Sequence, residues 1–144
     1  MNANHAVTAT EPVTAAPVTG LRRGAFLGYR WALLAFLLAG AAQIFLAGLG
    51  VFSHDQADAA FAPHRALGFA MAGVAVLILV LAVIARPGAR AITGSAVLVL
   101  LTSLVQSLLA GLGEDHAVYG ALHALDGLFV IGIASYLFFW SRQR

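Results

Sequence analysis

The chain contains no cysteine and no lysine, and only 10% of its residues are charged. Without cysteine there are no disulfides, no thiolate metal sites and no cysteine nucleophile, although this says nothing about compartment. Without lysine, eight arginines carry all the basic charge, for a formal net charge of +2. These arginines stand at the ends of apolar segments. They do not form the basic cluster that nucleic acid requires, so no nucleic-acid partner is expected. The scarcity of charge excludes a water-soluble fold. With 61% hydrophobic residues and a mean hydropathy of +0.91, 144 residues cannot cover themselves with polar surface. A lipid bilayer removes that requirement. There is also no nucleophile–base pair, phosphate-binding loop or zincin motif, which argues against a hydrolase or a nucleotide enzyme.

What is present is a set of four apolar stretches, Trp31–Phe52, Ala66–Ala85, Ala91–Leu112 and Ala117–Trp140. At about 1.5 Å rise per residue, each is long enough to cross a hydrocarbon core of roughly 30 Å as a helix. Barrel strands would be shorter and would alternate apolar with polar residues. The expected helices run over about 29–52, 62–86, 90–113 and 116–141. Residues 1–20 carry no periodic apolar face and read as a flexible tail. They do not read as a secretory signal, because the Arg22-Arg23 pair follows them. Pro63 suits the first turn of the second helix, and Arg86-Pro87-Gly88 ends it. Short connections make neighbouring helices antiparallel. The fold class is therefore all-α: an integral membrane four-helix up-down-up-down bundle spanning residues 21–144.

Arg22, Arg23, Arg30, Arg86, Arg90, Arg142 and Arg144 fall at one end of such a bundle, and Asp55, Asp58, Glu114 and Asp115 at the other, with Arg65. Positive charge stays inside, so both termini are expected on the cytoplasmic side of the cell membrane. Tyr29, Trp31 and Trp140 would mark the inner boundary, where amphipathic rings collect.

The chain also repeats itself. The pattern Q-x-x-L-A-G-L-G at Gln43–Gly50 returns at Gln106–Gly113. Each copy runs through a short acidic loop into H-x-x-x-G, at His64 and Gly68 and at His123 and Gly127. The protein reads as two tandem helix hairpins. The second and fourth helices start at the same end and are diagonal partners, so the two imidazoles can face each other across the core. That geometry suits bis-histidine ligation of a haem iron. Each glycine lies one turn below its histidine on the same face, leaving a gap for a flat macrocycle, with Gly120 widening it. Met71, Ala75, Val130 and Ala134 continue those faces as an apolar lining. Arg65 could pair with a propionate.

Three further polar residues lie inside the apolar segments. Gln43 and Gln106 could hydrogen-bond to each other across the diagonal, or line the floor of the cofactor pocket. Asp126, three residues after His123, could orient that imidazole, pair with Arg65 or pass protons. A competing constellation lies in the loops, where His54, Asp55, Asp58 and His116 could bind an external divalent ion such as zinc or copper. His116 would share a face with His123 if the fourth helix reached it.

His64-Arg65 opening the second helix, a glutamine in the third and Leu122-His123 opening the fourth resemble one four-helix half of haem A synthase. The resemblance implies axial ligation by His64 and His123. Three departures limit it: Phe61 stands where that family has a glutamate, its loop cysteine pair is missing, and there is one bundle in place of two. It therefore implies haem binding without haem-modifying chemistry. The A-G-L-G ending of the first helix also resembles a group of small uncharacterised four-helix bacterial membrane proteins. The expectation is a membrane protein holding one haem b for electron transfer, haem carriage or sensing, with a redox partner or a larger membrane complex. The alternative is a cofactor-free scaffold or accessory subunit, or an external metal-binding protein.

Overall fold

A computed structural model of the chain describes residues 20–53 and 57–144. The expected tail lies outside that range except for Gly20, which opens the first helix. Four long helices follow: α1 (Gly20–Phe52), α2 (Ala57–Ala85), α3 (Ala89–Gly113) and α4 (Ala117–Arg142). There is no strand among the described residues. Each helix is long and apolar enough to cross a membrane. Large side chains such as Leu38, Phe45, Leu104, Phe129 and Phe139 point outward and are exposed. Water would penalise such a surface, whereas lipid matches it.

The inward stripes carry the 3–4 spacing of helices that pack nearly antiparallel. Tyr29, Leu33, Phe36 and Gly40 form the stripe of α1, and Met71, Ala75, Ile78 and Ala82 that of α2. Ala91, Ser95, Leu98 and Thr102 face in from α3, and Val130, Ala134, Leu137 and Ser141 from α4. Gly28 and Gly40 on α1 face Leu81 and Met71 on α2, which lets the backbones approach. Helices α1 and α2 form the most extensive pairing. Around the bundle each helix meets its two neighbours, and no close backbone approach joins α1 to α3 or α2 to α4 among the described residues. Helices α2 and α4 are thus diagonal, as the repeat requires.

Several boundaries differ from those expected. Helix α1 begins at Gly20, well before Tyr29, because a helix continues past its apolar core wherever no proline or turn stops it. Helix α2 begins at Ala57, so Pro63 lies inside it, not in its first turn. Pro63 has no N–H for the Ala59 carbonyl. Arg65 spans this weak point, its Nη2 donating to the Asp58 carboxylate at 2.9 Å and to the Asp58 carbonyl at 3.0 Å. At the other end, Arg86 takes a left-handed backbone with φ of 50°, and its N–H reaches Ala82 O at 2.9 Å. This closes α2 before Pro87, and Gly88 at φ 135° completes the turn. The expected ring belt also divides. Trp31 is exposed to the lipid side, whereas Tyr29 and Trp140 turn into the bundle. Helix α3 contains a π-helical turn at Leu100–Val105, which ends immediately before Gln106.

Candidate functional site

The two repeated motifs fold into the same tertiary unit twice. In the first hairpin the Q-x-x-L-A-G-L-G pattern closes α1 and H-x-x-x-G enters α2. Gln43 lies opposite His64, with His64 Nδ1 at 3.2 Å from the Gln43 backbone carbonyl. In the second hairpin His123 Nδ1 stands 3.1 Å from the Gln106 backbone carbonyl. The glycines complete the unit. A Cβ on Gly68 would meet Gln43 Nε2 at 3.2 Å, and one on Gly127 would meet Gln106 Nε2 at 3.5 Å. Each glutamine therefore engages its hairpin partner twice, by its carbonyl on the histidine and by its amide on the glycine one turn further along.

The final glycine of each pattern allows the hairpin to close. A Cβ on Gly50 would sit 2.6 Å from the Phe61 ring, and one on Gly113 would sit 2.9 Å from the Gly120 backbone nitrogen. Phe61 and Gly120 each precede a histidine by three residues, so these two approaches are equivalent. They are absent from the readable motif because only the partner helix reveals them; the sole hint is that aligning the histidines also aligns Phe61 with Gly120.

These units bring His64 and His123 together from diagonal helices. Their ring centroids are 6.2 Å apart with the planes inclined by 61°, and both side chains are half-buried. The Phe61 ring stands edge-on to His64 at 6.0 Å. Below the pair, Met71, Ala75, Val130 and Ala134 are buried in the core.

The hydrogen bonds decide the tautomers. A backbone carbonyl can only accept, so the nitrogen facing it carries the proton. A neutral imidazole has one N–H. Both Nδ1 atoms are therefore protonated, and both Nε2 atoms are left with lone pairs. Neither Nε2 has a partner among the described residues. Two acceptor nitrogens cannot bond to each other; they can share a proton, hold a water or ligate a metal. Fixing Nδ1–H on a backbone carbonyl is how proteins commonly orient a ligating imidazole.

Other expected partners are placed differently. Gln43 and Gln106 do not bond across the diagonal, because α1 and α3 do not meet. Gln106 Nε2 instead donates to the His123 carbonyl at 3.0 Å. Both amides fill the gaps at Gly68 and Gly127, so the space next to these glycines is occupied by side chain. Arg65 is paired with Asp58 at the bundle surface, not with Asp126. Asp126 does not take the Nδ1 proton of His123, which goes to Gln106. It is buried, and its Oδ2 has no partner. Gln43 Oε1 and Thr102 Oγ1 are likewise buried without partners.

Of the loop constellation, His54 and Asp55 lie outside the described residues, and Asp58 is engaged by Arg65. His116 precedes α4 without joining it. It is exposed and packs against Tyr119, with ring centroids 6.0 Å apart. Among the described residues, no group of three or more histidine, aspartate or glutamate side chains is arranged to hold a metal ion.

Comparison with known proteins adds one observation. Residues 43–113 match the model of DUF6220, a family of unknown function. The matched segment starts at Gln43 and ends at Gly113, so it includes His64 and both glutamine motifs but not His123. No curated protein matches the chain, and no solved structure does. The chain is thus similar over about half its length to a family of unknown function.

Proposed function

We propose that this protein binds one b-type haem in the membrane, held by His64 and His123 near the end of the bundle opposite the arginines, for electron transfer, haem carriage or sensing. The observation that carries this reading is a pair of lone-pair imidazoles, 6.2 Å apart, without a third ligand group among the described residues. A bare zinc or copper centre draws three or four ligands from the protein. A haem iron already has four from its macrocycle and asks for two more.

The residues fit that demand. Two imidazoles on opposite sides of one metal, with nitrogens at about 2.0–2.1 Å, have ring centroids roughly 6 Å apart. His64 and His123 would hold the iron, and the Gln43 and Gln106 carbonyls fix each ring with Nδ1 protonated and Nε2 free. A Cβ at Gly68 or Gly127 would meet a glutamine amide, and that of Gln106 would have to leave the His123 carbonyl to make room for a macrocycle. Bound haem supplies one-electron chemistry, and the buried Met71, Ala75, Val130 and Ala134 lie on the membrane side of the pair. The acidic end would face outward and both termini inward, in the cytoplasmic membrane, by the arginine distribution.

Visible absorption of protein purified from haem-replete cells tests the reading. A low-spin spectrum, reducible by dithionite and lost in both His64→Ala and His123→Ala, is expected. A colourless protein, or a spectrum that survives both substitutions, would refute it. Orientation is tested in the cysteine-free chain with single cysteines. An impermeant maleimide should label Glu114→Cys in intact cells and leave Ala89→Cys untouched.

A second reading has its own observation. The glutamine amides fill the glycine gaps and both Nδ1 atoms are satisfied by the protein alone, as a cofactor-free scaffold would need. In that case His64→Ala and His123→Ala change only stability.

A further inference from the structure

At the arginine end, a cleft of about 440 Å³ opens between the start of α1, the end of α2 and the end of α4. Its walls are Arg22, Arg23, Phe26, Ala85, Pro87 and Arg144. We propose that this cleft binds the headgroup of an anionic phospholipid, one with a phosphodiester and no ammonium, such as phosphatidylglycerol or cardiolipin.

Charge is the first reason. Three arginines line the cleft, and no acidic side chain lines it. Asp58 is paired with Arg65, Glu114 and Asp115 follow α3 at the opposite end, and Asp126 is buried in the core. The first turn of α1 contains no acid, although a helix start favours negative charge. Arg22 and Arg23 there make the local field more positive still. An anion relieves both.

Geometry is the second reason. The Arg144 guanidinium lies over the Trp140 ring, 5.0 Å from its centroid. Stacking orders the planar group through its face and leaves its N–H edge for bidentate contact with phosphate oxygens. Beneath the arginines the lining is apolar, and the neighbouring outward side chains Leu21, Leu27 and Trp31 are exposed. A basic rim over an apolar wall, at the boundary of a membrane-spanning bundle, matches a phosphate joined to acyl chains better than a free ion. A choline or ethanolamine headgroup would bring its own ammonium against three arginines.

The test uses the full chain in nanodiscs and follows bound lipid by native mass spectrometry alongside the thermal midpoint. Dioleoyl phosphatidylglycerol should bind and raise the midpoint above its value in dioleoyl phosphatidylcholine. The triple variant Arg22→Gln, Arg23→Gln, Arg144→Gln should weaken that binding on the order of 100-fold, from about 1 kcal/mol per arginine near the headgroups. Arg90→Gln, at the same end but lining a different recess between α3 and α4, should leave it within about threefold. Equal loss in the two variants would mean diffuse attraction, and equal binding of phosphatidylcholine would mean no headgroup selectivity; either overturns the proposal. So does full displacement of the lipid by millimolar inorganic phosphate, which would make the cleft a site for free anions. If the triple variant does not fold, Arg144→Gln alone should weaken binding about fivefold, and an unchanged affinity refutes the site.

Discussion

The two hairpins are copies that differ where it is instructive. Both hold a histidine Nδ1 on a glutamine carbonyl, both fit a glutamine amide against a glycine, and both close at a final glycine. Only the second has a buried acid, Asp126, where the first has Leu67. Only the second has a π-helical turn, which ends just before its glutamine. In the second the glutamine amide also bonds the histidine carbonyl, whereas in the first Gln43 Oε1 is left without a partner. The shared parts form a clasp that delivers an imidazole to the core. The unshared parts, a π turn and a buried acid with an unpartnered oxygen, are of kinds that concentrate at functional positions.

The two hairpins differ most in energy at their closing glycines. Gly113 faces backbone at Gly120, which no rotamer can move, whereas Gly50 faces the Phe61 ring. Gly113→Ala should cost about 3 kcal/mol and Gly50→Ala about 1–2 kcal/mol, as overpacking does. In a double-mutant cycle by denaturant unfolding in detergent, Phe61→Ala should recover most of the Gly50→Ala loss. Equal losses, with no recovery, would show that the two closures are not distinguished as described.

The unshared acid comes next. Asp126→Leu, which installs the residue of the first hairpin, should stabilise the bundle by about 1 kcal/mol, because it removes an unpartnered buried carboxyl oxygen. A clear destabilisation in the same unfolding assay would mean that Asp126 has a structural partner.

The glutamines follow. Gln106→Leu removes a hydrogen bond and should cost about 0.6–1.7 kcal/mol. Gln43→Leu removes an unsatisfied oxygen and should fall within about 0.5 kcal/mol of the parent. Hydrogen exchange at the start of α4 should rise in Gln106→Leu, with no equivalent change at the start of α2 in Gln43→Leu.

The smallest effects are expected at the glycines beside the histidines. Gly68→Ala and Gly127→Ala meet only the end of a glutamine side chain, at 3.2 and 3.5 Å, and the Gln106 amide is also held by the His123 carbonyl. Each should change stability by less than about 1 kcal/mol, Gly68→Ala more than Gly127→Ala. Haem content, compared between the same two variants, should fall if the glycines also admit the macrocycle. Unchanged content in both would confine them to packing.

Sequence alone determined the four apolar helices, their antiparallel order, the division between an arginine end and an acidic end, and the diagonal placement of His64 and His123. Those features follow from composition, periodicity and connection length, each a local property of the chain. The tertiary structure decided which atoms meet. That the histidine partner is the glutamine carbonyl and not its side chain has no residue signature, because every residue carries a carbonyl. That the amides fall on Gly68 and Gly127, and not on each other, follows from the separation of α1 and α3. Arg65 turns to Asp58 because α2 starts a turn and a half before Pro63, and Tyr29 turns inward because its stripe on α1 is the one that packs. Such outcomes depend on the spacing and rotation of helices about one another, which many side chains set jointly and no single motif records.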